Sequence, residues 1–133
     1  MNVWLLILRV SLAAFMMTHG LPKLEMLLSG SGAQFADPIG LSGTFSLALA
    51  LIGEVGGSAL VLLGLCTRVA ALPTVVTMLV AAFIVHASDP FAVKEIALLY
   101  LAGFLTVLVM GPGRYSMDCL ISKKLNVAKK KNR

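Results

Sequence analysis

The chain has 133 residues, of which 59% are hydrophobic and 13% charged, with a mean hydropathy of +0.95. Such values lie outside the soluble globular range and exclude a water-soluble enzyme domain. The net charge of +5 does not signal nucleic-acid binding, because the basic residues adjoin apolar runs and no aromatic residues are interleaved among them.

Four apolar runs cover about residues 3–21, 43–65, 69–87 and 92–110. Each is long enough, at about 1.5 Å rise per residue, to approach or match a hydrocarbon core of about 30 Å. A transmembrane barrel would show alternating segments of about ten residues, a pattern this sequence lacks. The expected architecture is all-α: a four-helix transmembrane bundle over residues 1–114, followed by a basic tail over 115–133.

The first run begins at the N-terminus, yet no basic residue precedes it and Arg9 interrupts it, so it reads as a span rather than a cleavable signal. After it comes the one long connection, "PKLEMLLSGSGAQFADPIGLS", in which "KLEML" has the make-up of an amphipathic turn. The second run contains "EVGG", and Gly53 with Gly57 forms a GxxxG pair that marks a helix interface, within the chain or with a second copy as a homodimer. "CTRVAALP" opens the third run, with Thr67 as cap and Pro73 early enough to be tolerated. "SDP" opens the fourth, with Ser88 or Asp89 as cap and Pro90 in the first turn. "MGPGR" closes it, since Pro112 between two glycines cannot continue a helix.

Four crossings bring both termini to one face. Arg68, Arg114, Lys123, Lys124, Lys129, Lys130, Lys131 and Arg133 collect there, against Lys23 and Lys94 on the other face. The excess assigns the terminal face to the cytoplasm. The segment "SKKLNVAKKKNR" reads either as a solvated tail or as one resting on anionic headgroups of the bilayer. Cys66 and Cys119 fall on the same face, where thiols stay reduced, so no disulfide is expected.

Two charges sit inside the apolar runs. If the first helix ends near Gly20 and the second begins near Gly43, Arg9 and Glu54 each lie eleven residues inward, about 16 Å, and share a level. A guanidinium and a carboxylate at one height predict a structural ion pair. The pair either fixes registry alone or leaves Glu54 as a working, proton-accepting carboxylate, with Ser58 one turn on. Near the opposite surface, His19, Lys23, His86 and Glu95 end or begin helices around one polar mouth. Their donors suit a quinone headgroup with its tail in lipid. Two histidines at one height also raise haem ligation, but nothing else marks a haem pocket. No metal-ligand spacing is present.

Arg9, "HGLPK", "EVGG", "TR" and "GPGRYSMD", in this order across nearly the whole chain, resemble the DoxX family of small bacterial membrane proteins. The matching positions are Arg9, His19, Gly20, Lys23, Glu54, Gly56, Gly57, Arg68, Gly111, Gly113, Arg114, Ser116 and Asp118. The resemblance implies a four-helix bundle in the bacterial inner membrane and a link to quinone redox chemistry or oxidative stress. That would make the chain a subunit or accessory of a quinone-dependent oxidoreductase, acting with a soluble or membrane redox partner. A non-catalytic scaffold and a proton-coupled carrier stay open beside it. At the terminal face, Arg114 and Asp118 are four residues apart and, with Arg68, are expected to form a latch.

Overall fold

The computed structural model describes residues 1–131. Arg133 of the basic tail lies outside the described residues. Four helices are long and apolar enough to cross a membrane: α1 Asn2–Leu28, α2 Gly43–Leu63, α3 Thr67–Val85 and α4 Phe91–Met110. A fifth, α5, covers Met117–Lys131, and a short 3-10 turn, Gly32–Gln34, lies between α1 and α2. Each span packs on its sequence neighbour and α1 closes the ring against α4.

The first span is longer than expected. Pro22 sits inside α1 without ending it, because a membrane helix tolerates the one backbone bond a proline removes. The helix stops at Ser29 and Gly30, where Gly30 takes φ +78° and its N–H reaches Leu27 O at 3.2 Å. The second span starts at Ser42, whose side chain accepts from Phe45 N at 3.1 Å. It ends at Gly64 in the left-handed region, with Leu65 N returning to Leu60 O at 2.9 Å, as helix C-termini favour.

Gly53 and Gly57 are buried against α3. A Cβ added to Gly53 would lie 2.7 Å from Pro73 O, and one added to Gly57 would lie 2.6 Å from Ala70 O. The GxxxG face is therefore consumed inside the bundle, which overturns a homodimer through these two residues. Thr74 Oγ1 donates to Gly53 O at 2.7 Å across the same contact. Two stretches widen to π-helix, Ile52–Gly57 in α2 and Ala81–Val85 at the end of α3. Single π turns inside helices tend to mark working sites.

Phe104, Met16, Leu47, Val61 and Val107 fill the interior, while Trp4, Ile7, Phe15, Phe83, Leu99 and Val109 are exposed around the outside. The spans are thus apolar outside as well as inside, unlike a water-soluble bundle, and present an apolar outer surface to lipid. The tail is helical rather than formless: Ser116 Oγ caps α5 by accepting from Cys119 N at 3.2 Å.

Candidate functional site

The buried charges do not pair as their counted depths predicted. Gly20 of α1 packs on Glu54, at 3.3 Å from Glu54 Cβ to a Cβ placed there, and Gly64 packs on Arg9 and Ser116. Glu54 therefore stands level with Gly20, while Arg9 stands level with the far end of α2. Counting from Gly20 as the end of α1 misplaced the register. Because α1 runs on to Leu28, Lys23 lies one turn beyond Gly20. Helical side chains lean toward the N-terminus, so its ammonium comes back onto Glu54. Lys23 Nζ donates to Glu54 Oε1 at 2.5 Å.

Glu54 is 2% exposed, and its Oε2 has no hydrogen-bond partner among the described residues; the same holds for Ser58 Oγ. The Lys23 ammonium also lies over the Phe35 ring, 5.9 Å from its centroid, a favourable cation–π distance. Around the pair opens a cavity of about 600 Å³, whose polar lining comes from Lys23, Ser46, Glu54, Thr77 and His86. Leu49, Ile52, Val76, Val80 and Phe35 supply apolar wall. Both π stretches border it, through Ile52 and Glu54 on one side and Ala81 and Val85 on the other.

The connection between α1 and α2 forms part of the wall through Phe35, Ala36, Pro38 and Ile39. Asp37 fixes it there, with Oδ1 accepting from Ser46 Oγ at 2.9 Å and from Leu41 N at 3.0 Å. Desolvation raises the Asp37 carboxyl, but the hydrogen bonds from Ser46, Leu41, Ser42 and Gly40 outweigh it and hold the pKa below the ordinary value.

Of the residues expected at the polar mouth, Lys23 and His86 line the cavity with Glu54, whereas His19 and Glu95 do not. His19 packs edge-on against Tyr100 of α4, with ring centroids 5.5 Å apart. Glu95 is exposed. The buried stripe of α4 is Ala97, Leu101, Phe104 and Val107, and a residue two positions before Ala97 is turned about 200° away from it. His86 Nδ1 lies 2.6 Å from Asp89 Oδ2, and Lys94 Nζ donates to Ala87 O at 2.7 Å. Lys94 and Asp89 therefore secure the α3–α4 turn. Among the described residues no three His, Cys, Asp or Glu side chains gather as a metal site.

At the terminal face the latch has a different centre. Arg9, 2% exposed, donates from Nη1 to Pro112 O at 2.9 Å and from Nη2 to Tyr115 O at 2.7 Å. Asp118 accepts from Cys66 N at 2.7 Å, Thr67 N at 2.9 Å and Thr67 Oγ1 at 2.9 Å. A side chain from α5 thus caps α3, where Thr67 had been expected as the cap; Thr67 is instead the first helical residue, and its hydroxyl donates to the same carboxylate. Arg68 Nη2 reaches Val109 O at 3.1 Å. Arg114 is exposed and contributes only its backbone N–H, to Asn2 Oδ1 at 3.3 Å. The expected pairing of Arg114 with Asp118 gives way because three donors at the α3 N-terminus already claim the carboxylate. Burial raises the Asp118 carboxyl, but those bonds and the nearby Arg9 charge bring its pKa below the ordinary value.

The DoxX family model matches residues 4–87. The chain belongs to the DoxX family. A relative, inner membrane protein YqjF of Escherichia coli strain K12, is 32% identical over 127 residues, covering 92% of this chain and 95% of the relative. No solved structure matches the chain. With its four spans, this DoxX protein is a multi-pass protein of the bacterial inner membrane. The stretch that carries the DoxX match holds Arg9 and every residue lining the cavity, from Lys23 to His86. Phe35, Asp37 and Ser46 escaped the reading of residue types. A sequence signal did exist for Asp37, because "ADP" followed by "GLS" is a side-chain-closed turn in residue type.

Proposed function

We propose that this DoxX-family protein is a membrane-embedded binding subunit for a small amphiphile of the quinone type, serving quinone-linked redox chemistry or the response to oxidative stress together with a partner protein. The observation that carries the reading is the Lys23–Glu54 pair, with its partly exposed ammonium, on the wall of a largely apolar cavity of about 600 Å³. Ligand pockets are typically apolar clefts of about 300–1,000 Å³ with a few placed polar groups. A quinone brings carbonyl acceptors, and its reduced form brings hydroxyl donors. Lys23, held by Glu54 Oε1, would donate an N–H to a carbonyl oxygen, and the His86 imidazole on the cavity wall would meet a hydroxyl. Phe35, Leu49 and Val76 would take the ring and the start of the tail. The excess of Lys and Arg on the terminal face supports placing both termini in the cytoplasm, which sets the cavity toward the opposite side of the membrane.

The test uses the full chain in nanodiscs, titrated with a short-tailed quinone and with its reduced form while thermal unfolding is followed. Saturable stabilisation is expected, about 2.7 kcal/mol at a ligand concentration 100 times Kd. Val76→Trp fills the cavity without touching the ion pair and is expected to abolish the effect. Absence of stabilisation in the native sequence, or its survival in Val76→Trp, would overturn the reading.

A scaffold or assembly role is favoured by one observation of its own: Arg9 and Asp118 tie the ends of all four spans to one turn. In that case variants of the cavity leave partner assembly unchanged, and variants of Arg9 abolish it.

A further inference from the structure

We propose that α5 is an anionic-lipid-binding helix that lies along the membrane surface, with its lysines on phospholipid headgroups. None of its residues is buried against the bundle. At 100° per residue, Met117, Leu120, Ile121, Leu125 and Val127 fall on one half of the helix, and all five are exposed. Lys123, Lys129 and Lys130 fall on the other half with Ser122 and Asn126. Lys124 and Lys131 lie within the apolar half, where long stems let the ammonium reach headgroups while the chain stays in the apolar layer.

An isolated helix of 15 residues is marginal in water, so this apolar half needs a cover. Its position says which one. Asp118 N donates to Gly64 O at 2.9 Å, and the Asp118 carboxylate holds the first residues of α3. The start of α5 is therefore fixed at the ends of the spans, where the bilayer begins. Exposed Leu63, Val69 and Val109 mark the adjoining lipid surface. The charge agrees: five lysines, at 123, 124, 129, 130 and 131, face one acid, Asp118, already engaged in capping. A basic amphipathic helix of this kind lies in the interfacial plane and takes its selectivity from anionic headgroups.

The test measures the depth of α5 in the full-length protein. Trp4 is exposed among the lipid-facing residues and would report on lipid regardless, so Trp4→Phe is combined with Val127→Trp. The protein is reconstituted into vesicles with brominated acyl chains, either wholly zwitterionic or with about a third anionic phospholipid; with both leaflets alike, insertion direction does not matter. Strong quenching of the introduced indole is expected in anionic vesicles, falling at least twofold in zwitterionic ones, in high salt, or when the five lysines become Gln. Circular dichroism of the spans checks that the exchanges leave the bundle intact. Equal quenching in both lipids would overturn the selectivity. No quenching in either would overturn the surface placement, and protection of α5 only in native membranes would assign the face to a protein instead.

Discussion

Removing Lys23 and removing Glu54 are not equivalent perturbations. Lys23→Met leaves a carboxylate that is 2% exposed, with Oε2 already unpartnered and Oε1 deprived of its ammonium. Glu54→Gln leaves an ammonium whose side chain keeps 29% exposure and still lies over Phe35. Breaking a buried pair by deleting one partner typically costs about 3–5 kcal/mol. The partial exposure of Lys23 puts Lys23→Met at the lower end, about 3 kcal/mol, since water already screens the ammonium's attraction for the carboxylate before it is removed. Glu54→Gln should cost about 1–2 kcal/mol, because the lysine can extend to water. In the double variant neither uncompensated charge remains, so the cycle should give a coupling of about 2 kcal/mol. Detergent-titrated unfolding in mixed micelles, read by circular dichroism, measures all four corners. Equal single costs, a dearer Glu54→Gln, or simple additivity would refute the buried pair as described.

Arg9→Lys keeps the charge but not the fork that spans Pro112 O and Tyr115 O; a loss of about 2 kcal/mol is expected in the same unfolding assay. Gly57→Ala pushes a methyl to 2.6 Å from Ala70 O and should cost about 1–3 kcal/mol. Gly56→Ala, whose added methyl would lie 4.0 Å from Leu51 O, should be tolerated, so thermal melts of the two separate a packed face from a free one. Asp118→Asn removes the carboxylate cap of α3, at about 1 kcal/mol near neutral pH. With the Asp118 pKa held below its ordinary 3.8, the contribution is complete above that value and disappears as pH falls through the lower folded value. Stability profiles of native and Asp118→Asn protein should therefore run parallel from about pH 5 to 8 and converge only in acid.

The spans were legible because sustained hydrophobic runs have no other outcome in a membrane. Their limits were legible wherever a glycine with positive φ enforces them, as Gly64 and Gly111 do. Pro22 misled, since the same residue that stops a helix in water is absorbed in lipid. That one error propagated, because ending α1 at Gly20 put Arg9 opposite Glu54 and left Lys23 at the surface. Gly53 and Gly57 announced a close contact but not its partner, which depends on Pro73 and Thr77 of α3. Glu54 stood out as a buried acid in sequence, whereas its cavity did not. Its wall comes from a connection whose shape depends on Asp37 reaching Ser46, and from two π stretches that compositional patterning does not reveal. Glu95 was misplaced for want of phase: the apolar run that follows it is hydrophobic on all sides, so no periodicity told which side faces the bundle.

The most direct test of the cavity is photolabelling with a lipid-soluble azidoquinone in intact membranes, mapped by peptide mass spectrometry. The account predicts labels concentrated on peptides holding Phe35, Val76 and Val80, competed by unlabelled quinone and lost in Lys23→Met. Labels scattered over Ile7, Phe83 and Leu99 on the lipid face, unaffected by competitor, would contradict it.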